Sequence, residues 1–226
     1  MLQRQSRLSK QKRRKILECF AADLSATQAA QVLGVNRNTI NLWYRNFREQ
    51  ILQYLESSLT QKLSGEIELD ESYFGGPRKK RHAIDRRKRG RGAENKVPVF
   101  GVLKRDGKVY TQIIKNASKQ ELMPIVRQLV RKQSTIYTDK FRTYDGLVFD
   151  RYKHYRINHS KKYSNRKGVH LNGIEHFSSF AKLRLAKFRG LNRKNFYYPL
   201  KECEFRYNKK ADMMQVLKVK SKDLLV

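Results

Sequence analysis

Residues Glu66-Ile67-Glu68-Leu69-Asp70-Glu71-Ser72-Tyr73-Phe74 alternate with period two, the spacing of a β-strand, and their alternate positions carry a surplus of acid. The surplus runs against the trend of the whole chain, which sets 51 Lys and Arg against 20 Asp and Glu for a net charge of +31. Everything before this strand reads with the helical period, and beyond it short strands are interspersed with helices. A chain that changes period at one point is expected to fold as two parts, a helical one and then one built on a sheet.

The composition narrows the function classes. With 39% hydrophobic and 11% aromatic residues the chain holds enough apolar side chains for a packed core, which excludes a disordered basic tail. Its charge resists compaction by self-repulsion and draws in polyanions, so a nucleic-acid backbone is the expected partner. A membrane surface is the weaker reading, because no segment pairs a basic face with a long apolar one. No apolar run reaches the ~18 residues of a membrane span and no signal-like core follows the basic start, so a soluble, cytoplasmic (nucleoid-associated) protein is expected. Cys19 and Cys203 stand far apart with no Cys-x-x-Cys pair, which supplies neither a disulfide framework nor a zinc ribbon.

In the first part, Ile16, Leu17 and Phe20 fall at helical spacing, Ser25 is placed to cap a helix over Ala26 to Leu33, and Gly34 stops it. Asn36 or Asn38 then caps a helix with Ile40, Trp43 and Phe47 on one face. Helix, glycine turn and helix make a helix-turn-helix pattern, with Arg37, Asn38, Asn41 and Arg45 pointing outward. Arg and Asn are the side chains that read guanine and adenine edges in a major groove. A plain helical hairpin would show the same spacing, and the charge of the chain favours DNA. A helical spacer from about Ile51 to Lys62 leads to the acidic strand.

Gly75-Gly76-Pro77 ends that strand, and from Gly75 to Lys96 there are ten Lys and Arg, two acids and five Gly or Pro. Such a segment reads as a phosphate-binding loop, in which Lys88, Arg89 and Arg91 are the contact candidates. Further strands are expected at Val97 to Leu103, Lys108 to Ile114, Thr135 to Asp139 and Tyr152 to Asn158. The first two join through the Asp106-Gly107 turn, and a helix capped by Ser118 precedes the third. Helices are expected over His170 to Phe188 and Phe196 to Tyr207. This order is that of an α/β, ribonuclease H-like mixed sheet flanked by helices, preceded by an all-α helix-turn-helix domain, with the division at residues 1–62 and 63–226.

In that fold Asp70, Asp139 and Glu175 converge at one sheet edge. Three carboxylates in one place need a counter-charge, and hard divalent cations with oxygen ligands supply it. Glu68 shares the strand face of Asp70 and is a candidate to add to the metal field, whereas Glu71 points the other way.

These residues carry a resemblance. The strand Ile67 to Gly76, the basic Lys88-Arg89-Gly90-Arg91-Gly92, the strand end Tyr137-Thr138-Asp139, the helix start His170 to Phe177 and the close Glu202 to Asn208 occur in one order. In that order they resemble the DDE transposases of bacterial insertion sequences, of the retroviral-integrase-like superfamily, in a short form with a helix-turn-helix and no zinc ribbon. The resemblance implies Asp70 and Asp139 as the first two catalytic and metal-holding acids. The third is Glu175, with 35 residues between it and Asp139, and Asn172 one turn earlier on the same helix face is the other candidate. Lys182, two turns after Glu175, matches a residue placed on the DNA backbone.

The implied cofactor is Mg2+, with Mn2+ as substitute, as two ions that clamp the attacking and leaving oxygens of a phosphodiester. The implied activity is binding of terminal inverted repeats, cleavage and strand transfer on double-stranded DNA, both transposon ends and target, by a homo-oligomer in a paired-end complex. Two other readings remain at this point: a DNA-binding regulator or inactive remnant without chemistry, and a structure-specific nuclease on the same fold.

Overall fold

The computed structural model describes residues 8–58, 61–75, 96–139, 144, 147–148, 150–157, 170–188, 195–209 and 213–220. Lys88, Arg89 and Arg91 lie outside the described residues, as does most of the basic segment to which they belong. The chain divides into two compact units, one of residues 1–59 with 187–226 and one of residues 60–186.

The first unit is helical. Helix α1 spans Lys10–Ala21 and α2 Ala26–Leu33. Ser25 caps α2 as expected: its hydroxyl accepts the Gln28 N–H, while the Gln28 side chain accepts the Ser25 N–H at 2.9 Å. Gly34 ends α2 at φ +59°, a left-handed conformation in which any Cβ is strained. Asn36 opens the next helix by accepting the Asn38 N–H at 2.8 Å, which decides between the two asparagines. That helix, α3, is one continuous element from Arg37 to Ser58, so the expected spacer extends the second helix of the helix-turn-helix without a break. Ile16, Phe20, Ala29, Ile40, Phe47 and Ile51 form the core of the unit, with Phe20 packed edge-on to Tyr44.

The second unit is built on five strands: β1 Glu66–Phe74, β2 Val97–Lys104, β3 Val109–Ile113, β4 Thr135–Asp139 and β5 Lys153–Ile157. Their order in the sheet is β3-β2-β1-β4-β5, with β1–β2 and β2–β3 antiparallel and β1–β4 and β4–β5 parallel. This is the ribonuclease H-like mixed sheet. The β2–β3 turn places Asp106 at φ +54°, as the Asp-Gly pair predicts. Helix α4, Lys119–Leu129, is capped by Ser118 and crosses over between β3 and β4. Its Leu122, Ile125 and Val126 pack on Ile67, Leu69, Phe100, Val102 and Ile136, which all point to one face. The opposite face is covered by α5, Asn172–Leu185, through Ile174, Phe177, Ala181 and Leu185, and the buried Ser72 hydroxyl donates to Ser178 at 2.7 Å.

The packing departs from the division read at 62/63 in one respect. Helices α6, Tyr197–Asn208, and α7, Met213–Lys220, belong to the helical unit and pack against α1 and α3. The sequence pattern contains no signal for α7, because its short mixed stretch has neither a cap nor a clear apolar face. Cys19 on α1 and Cys203 on α6 are both buried.

Candidate active site

The parallel pairing of β1 with β4 sets Glu66 opposite Thr135, Ile67 opposite Ile136 and Glu68 opposite Tyr137. Two residues further along each strand stand Asp70 and Asp139, on the face that α5 covers. Neighbouring strands lie about 4.8 Å apart, so register alone makes these two carboxylates neighbours. Asp70 is largely shielded from water, and burial followed by the charge of Asp139 raises its carboxyl to about 6. A hydrogen bond involving the Glu71 backbone pulls it down, Glu175 pushes it up, and the Lys182 ammonium pulls it down. Asp139 on β4 and Glu175 and Lys182 on α5 therefore all act on the Asp70 carboxylate of β1. Asn172 is the first residue of α5 and is exposed, with Glu175 one turn on and Lys182 two turns beyond that.

Glu71 points to the opposite face, as the strand period requires, where it accepts a hydrogen bond from the buried Tyr144 hydroxyl. It still takes part in the field of the site. Burial, then the charges of Asp70 and Asp139, raise its carboxyl to about 7, while the Tyr144 bond lowers it. Nothing in the sequence pairs Tyr144 with Glu71 across 73 residues.

Glu68 corrects an expectation. It does share the face of Asp70, but its carboxylate, 1% exposed, is taken up by Arg105 Nε at 2.9 Å on Oε1 and by the Ile174 N–H at 2.9 Å on Oε2. It is a structural anchor and not a spare metal ligand. His170 Nδ1 stands 3.5 Å from the same Oε1.

The donor set suits a hard divalent cation. Asp70, Asp139 and Glu175 offer only oxygen, and the repulsion that raises Asp70 is of the kind a dication cancels. Among the described residues no three His, Cys, Asp or Glu side chains close into a metal cage. The raised carboxyls carry a prediction for the metal-free protein. Asp70 and Glu71 hold their protons to higher pH when folded than when unfolded, so the folded state binds more protons between about pH 4 and 7. Stability therefore falls as pH rises through that window and levels off above it. Thermal unfolding at pH 5 and pH 8 measures the difference, and added Mg2+ is expected to shrink it.

On the helical unit Arg37, Asn38, Asn41 and Arg45 are all exposed along α3, while Ile40 is fully buried on the opposite side. Arg45 Nε pairs with Glu49 Oε1 at 3.1 Å on the surface, a contact weak enough to yield to a phosphate.

Residues 62–208 match the family described as the ISXO2-like transposase domain. The chain belongs to this transposase family. Residues 7–51 match the Homeodomain-like domain, so the transposase carries a DNA-binding helix-turn-helix ahead of its transposase domain. An "uncharacterized transposase-like protein" of Haemophilus influenzae is 40% identical over 109 residues, 48% of this chain and 88% of its own length. A protein "in transposable element ISH50" of Halobacterium salinarum is 28% identical over 167 residues, 68% of this chain and 56% of its own length. Among solved structures, a crystal structure of the Mos1 mariner paired-end complex with Mn is 14% identical at a TM-score of 0.36, covering 99% of this chain and 80% of that one. The family match ends at 208, so α6 is part of the transposase domain by sequence while it packs with the helices of the first unit. Among the described residues no helix of the transposase is long and apolar enough to cross a membrane.

Proposed function

We propose that this transposase cuts and rejoins DNA at the ends of an insertion sequence with Asp70, Asp139 and Glu175 as its catalytic acids. The observation that carries the reading is the β1–β4 register, which makes Asp70 and Asp139 neighbours on the face that α5 covers, where Glu175 and Lys182 also act on the Asp70 carboxylate. The three acids would hold two divalent cations, Mg2+ or Mn2+ in its place, which when bound supply Lewis-acid charge to the attacking and leaving oxygens of a phosphodiester. Asp70 sits in the middle of β1 and Asp139 at the end of β4, both on rigid strands, so their carboxylates are oriented before substrate arrives. Lys182 and the basic Lys88, Arg89 and Arg91 neutralise the backbone that is brought to those acids. Arg37, Asn38, Asn41 and Arg45 read the terminal inverted repeats from the exposed side of α3. Residues 1–62 thus select the end, and the domain from residue 63 performs the cut and the joining to target DNA. Because two ends are joined in one event, the transposase is expected to act as a homo-oligomer holding both.

The test is purified protein with DNA bearing its own inverted repeats and Mg2+ or Mn2+, in which nicking at the end and joining to a second duplex are both expected. Binding without either product would return a DNA-binding regulator, and cutting of junctions or hybrids without joining would return a nuclease. For the third acid, Glu175→Gln is expected to lower cleavage by about 100-fold or more, and Asn172→Ala by less than about tenfold, since a carboxylate holds a hard cation better than an amide does. The reverse ranking would move the role to Asn172.

A further inference from the structure

We propose that Arg105 and Glu68 form a clasp that positions helix α5, and with it Glu175, against the neighbouring strands that bear Asp70 and Asp139. The inference rests on the reading of those three acids as the metal-holding set and adds two positioning residues to it.

Helix α5 begins without a side-chain cap of its own, because the apolar side chain of Leu171 occupies the cap position and offers no acceptor. The first-turn N–H groups of a helix need acceptors, and an uncapped start is free to fray or to turn about its axis. Here the acceptor comes from the sheet. Glu68 Oε2 takes the N–H of Ile174, the residue before Glu175, and its negative charge lies at the positive end of the helix.

Arg105 fixes that carboxylate and extends the contact to every element that carries an acid. It follows β2 directly, its side chain is 14% exposed, and its Nε donates to Glu68 Oε1 at 2.9 Å. Its Nη2 donates to the His170 carbonyl at 2.7 Å, on the segment that enters α5, and its Nη1 reaches Glu66 Oε2 at 3.4 Å on β1. The guanidinium lies 3.8 Å over the ring of Tyr137, two residues before Asp139 on β4, and the Tyr137 hydroxyl donates to Glu66 Oε1 at 2.6 Å. One planar cation thus touches β1, β4 and the entrance to α5. Lysine, a point charge with no fork, cannot repeat the arrangement.

Gly173 shows how closely the seat is fitted. A Cβ there would stand 2.9 Å from Glu68 Oε2 and 3.0 Å from Leu103 Cδ2, so a side chain displaces the carboxylate from the helix start. At an ordinary helix position Gly→Ala is stabilising, which makes this substitution a sharp probe.

The test uses the full chain and three readouts: direct Mn2+ binding by electron paramagnetic resonance, single-turnover end cleavage across a Mn2+ series, and affinity for end-bearing DNA. Circular dichroism and the cooperativity of its thermal transition report folding. Glu68→Ala, Arg105→Ala and Arg105→Lys are expected to bind Mn2+ about 10- to 100-fold more weakly, with cleavage recovering at saturating Mn2+ and DNA affinity unchanged. Gly173→Ala, which keeps both charges, is expected to do the same, and it decides the matter if the other variants fail to fold. Wild-type Mn2+ affinity in folded Gly173→Ala and in every folded clasp variant overturns the proposal. The control is Asp70→Ala: if that protein still binds Mn2+ and cuts, the acid assignment has failed and not the clasp.

Discussion

Alanine at Asp70 or at Asp139 is expected to lower end cleavage by about 1,000-fold or more while the same DNA binds as tightly as to wild type. Each substitution removes an oxygen donor from one of two neighbouring strands, and neither changes a residue of the helix-turn-helix. The two substitutions separate chemistry from stability in an unusual way. In the metal-free protein above pH 6 the Asp70 carboxylate is held ionised against burial and against the charge of Asp139, so its removal is expected to raise thermal stability as it abolishes cleavage. A variant that is inert because it is misfolded shows the opposite sign. Single-turnover cleavage of a labelled end, measured beside thermal unfolding at pH 8 without metal, reads both effects. Cleavage at the wild-type rate by Asp139→Ala would remove the site from this sheet edge.

The second large effect lies in the helical unit. Glu202 on α6 is fully buried, and its carboxylate accepts from Arg206 Nε at 2.8 Å and from Arg48 Nε on α3 at 2.8 Å. Arg206 in turn donates to the Phe20 and Ala21 carbonyls, at 2.5 and 3.0 Å, at the end of α1. Glu202→Ala leaves two largely buried guanidinium groups without their shared anion, a loss of about 3–5 kcal/mol. Trp43 is the one tryptophan of the chain and is buried in this unit, so its fluorescence in a urea titration follows the unit directly. The midpoint is expected to fall sharply, and affinity for end DNA with it. Glu202→Gln, which keeps an acceptor oxygen for one of the two arginines, is expected to lose less. An unchanged midpoint in Glu202→Ala would mean that α6 is no part of what holds the helix-turn-helix together.

The ease with which each part could be read follows the range of the forces involved. The helix-turn-helix was legible because its signals are local: Ser25 and Gln28 cap each other three residues apart, and Gly34 supplies a backbone conformation that other residues resist. The strands were legible from period two, and their order followed from connections that leave few alternatives. Asp70 and Asp139 could be paired because strand register, once the order is known, decides which side chains are neighbours. Glu68 could not be assigned. Its alternation places it correctly on the face of Asp70, but whether a carboxylate on that face goes to a cation or to Arg105 depends on a helix start 106 residues away. Glu71 and Tyr144 were missed for the same reason, and so was the partnership of Glu202 with Arg48, 154 residues apart.

By itself, then, the sequence determined the helical start, the acid-bearing strand, the strand order and which strands carry Asp70 and Asp139, because caps, turns and periods act over a few residues. Only the tertiary structure decided which carboxylates remain available at the site and which are consumed as anchors, and that α6 and α7 join the helices at the other end of the chain. Those outcomes turn on which cation a buried anion meets, and burial brings together residues that no local pattern connects.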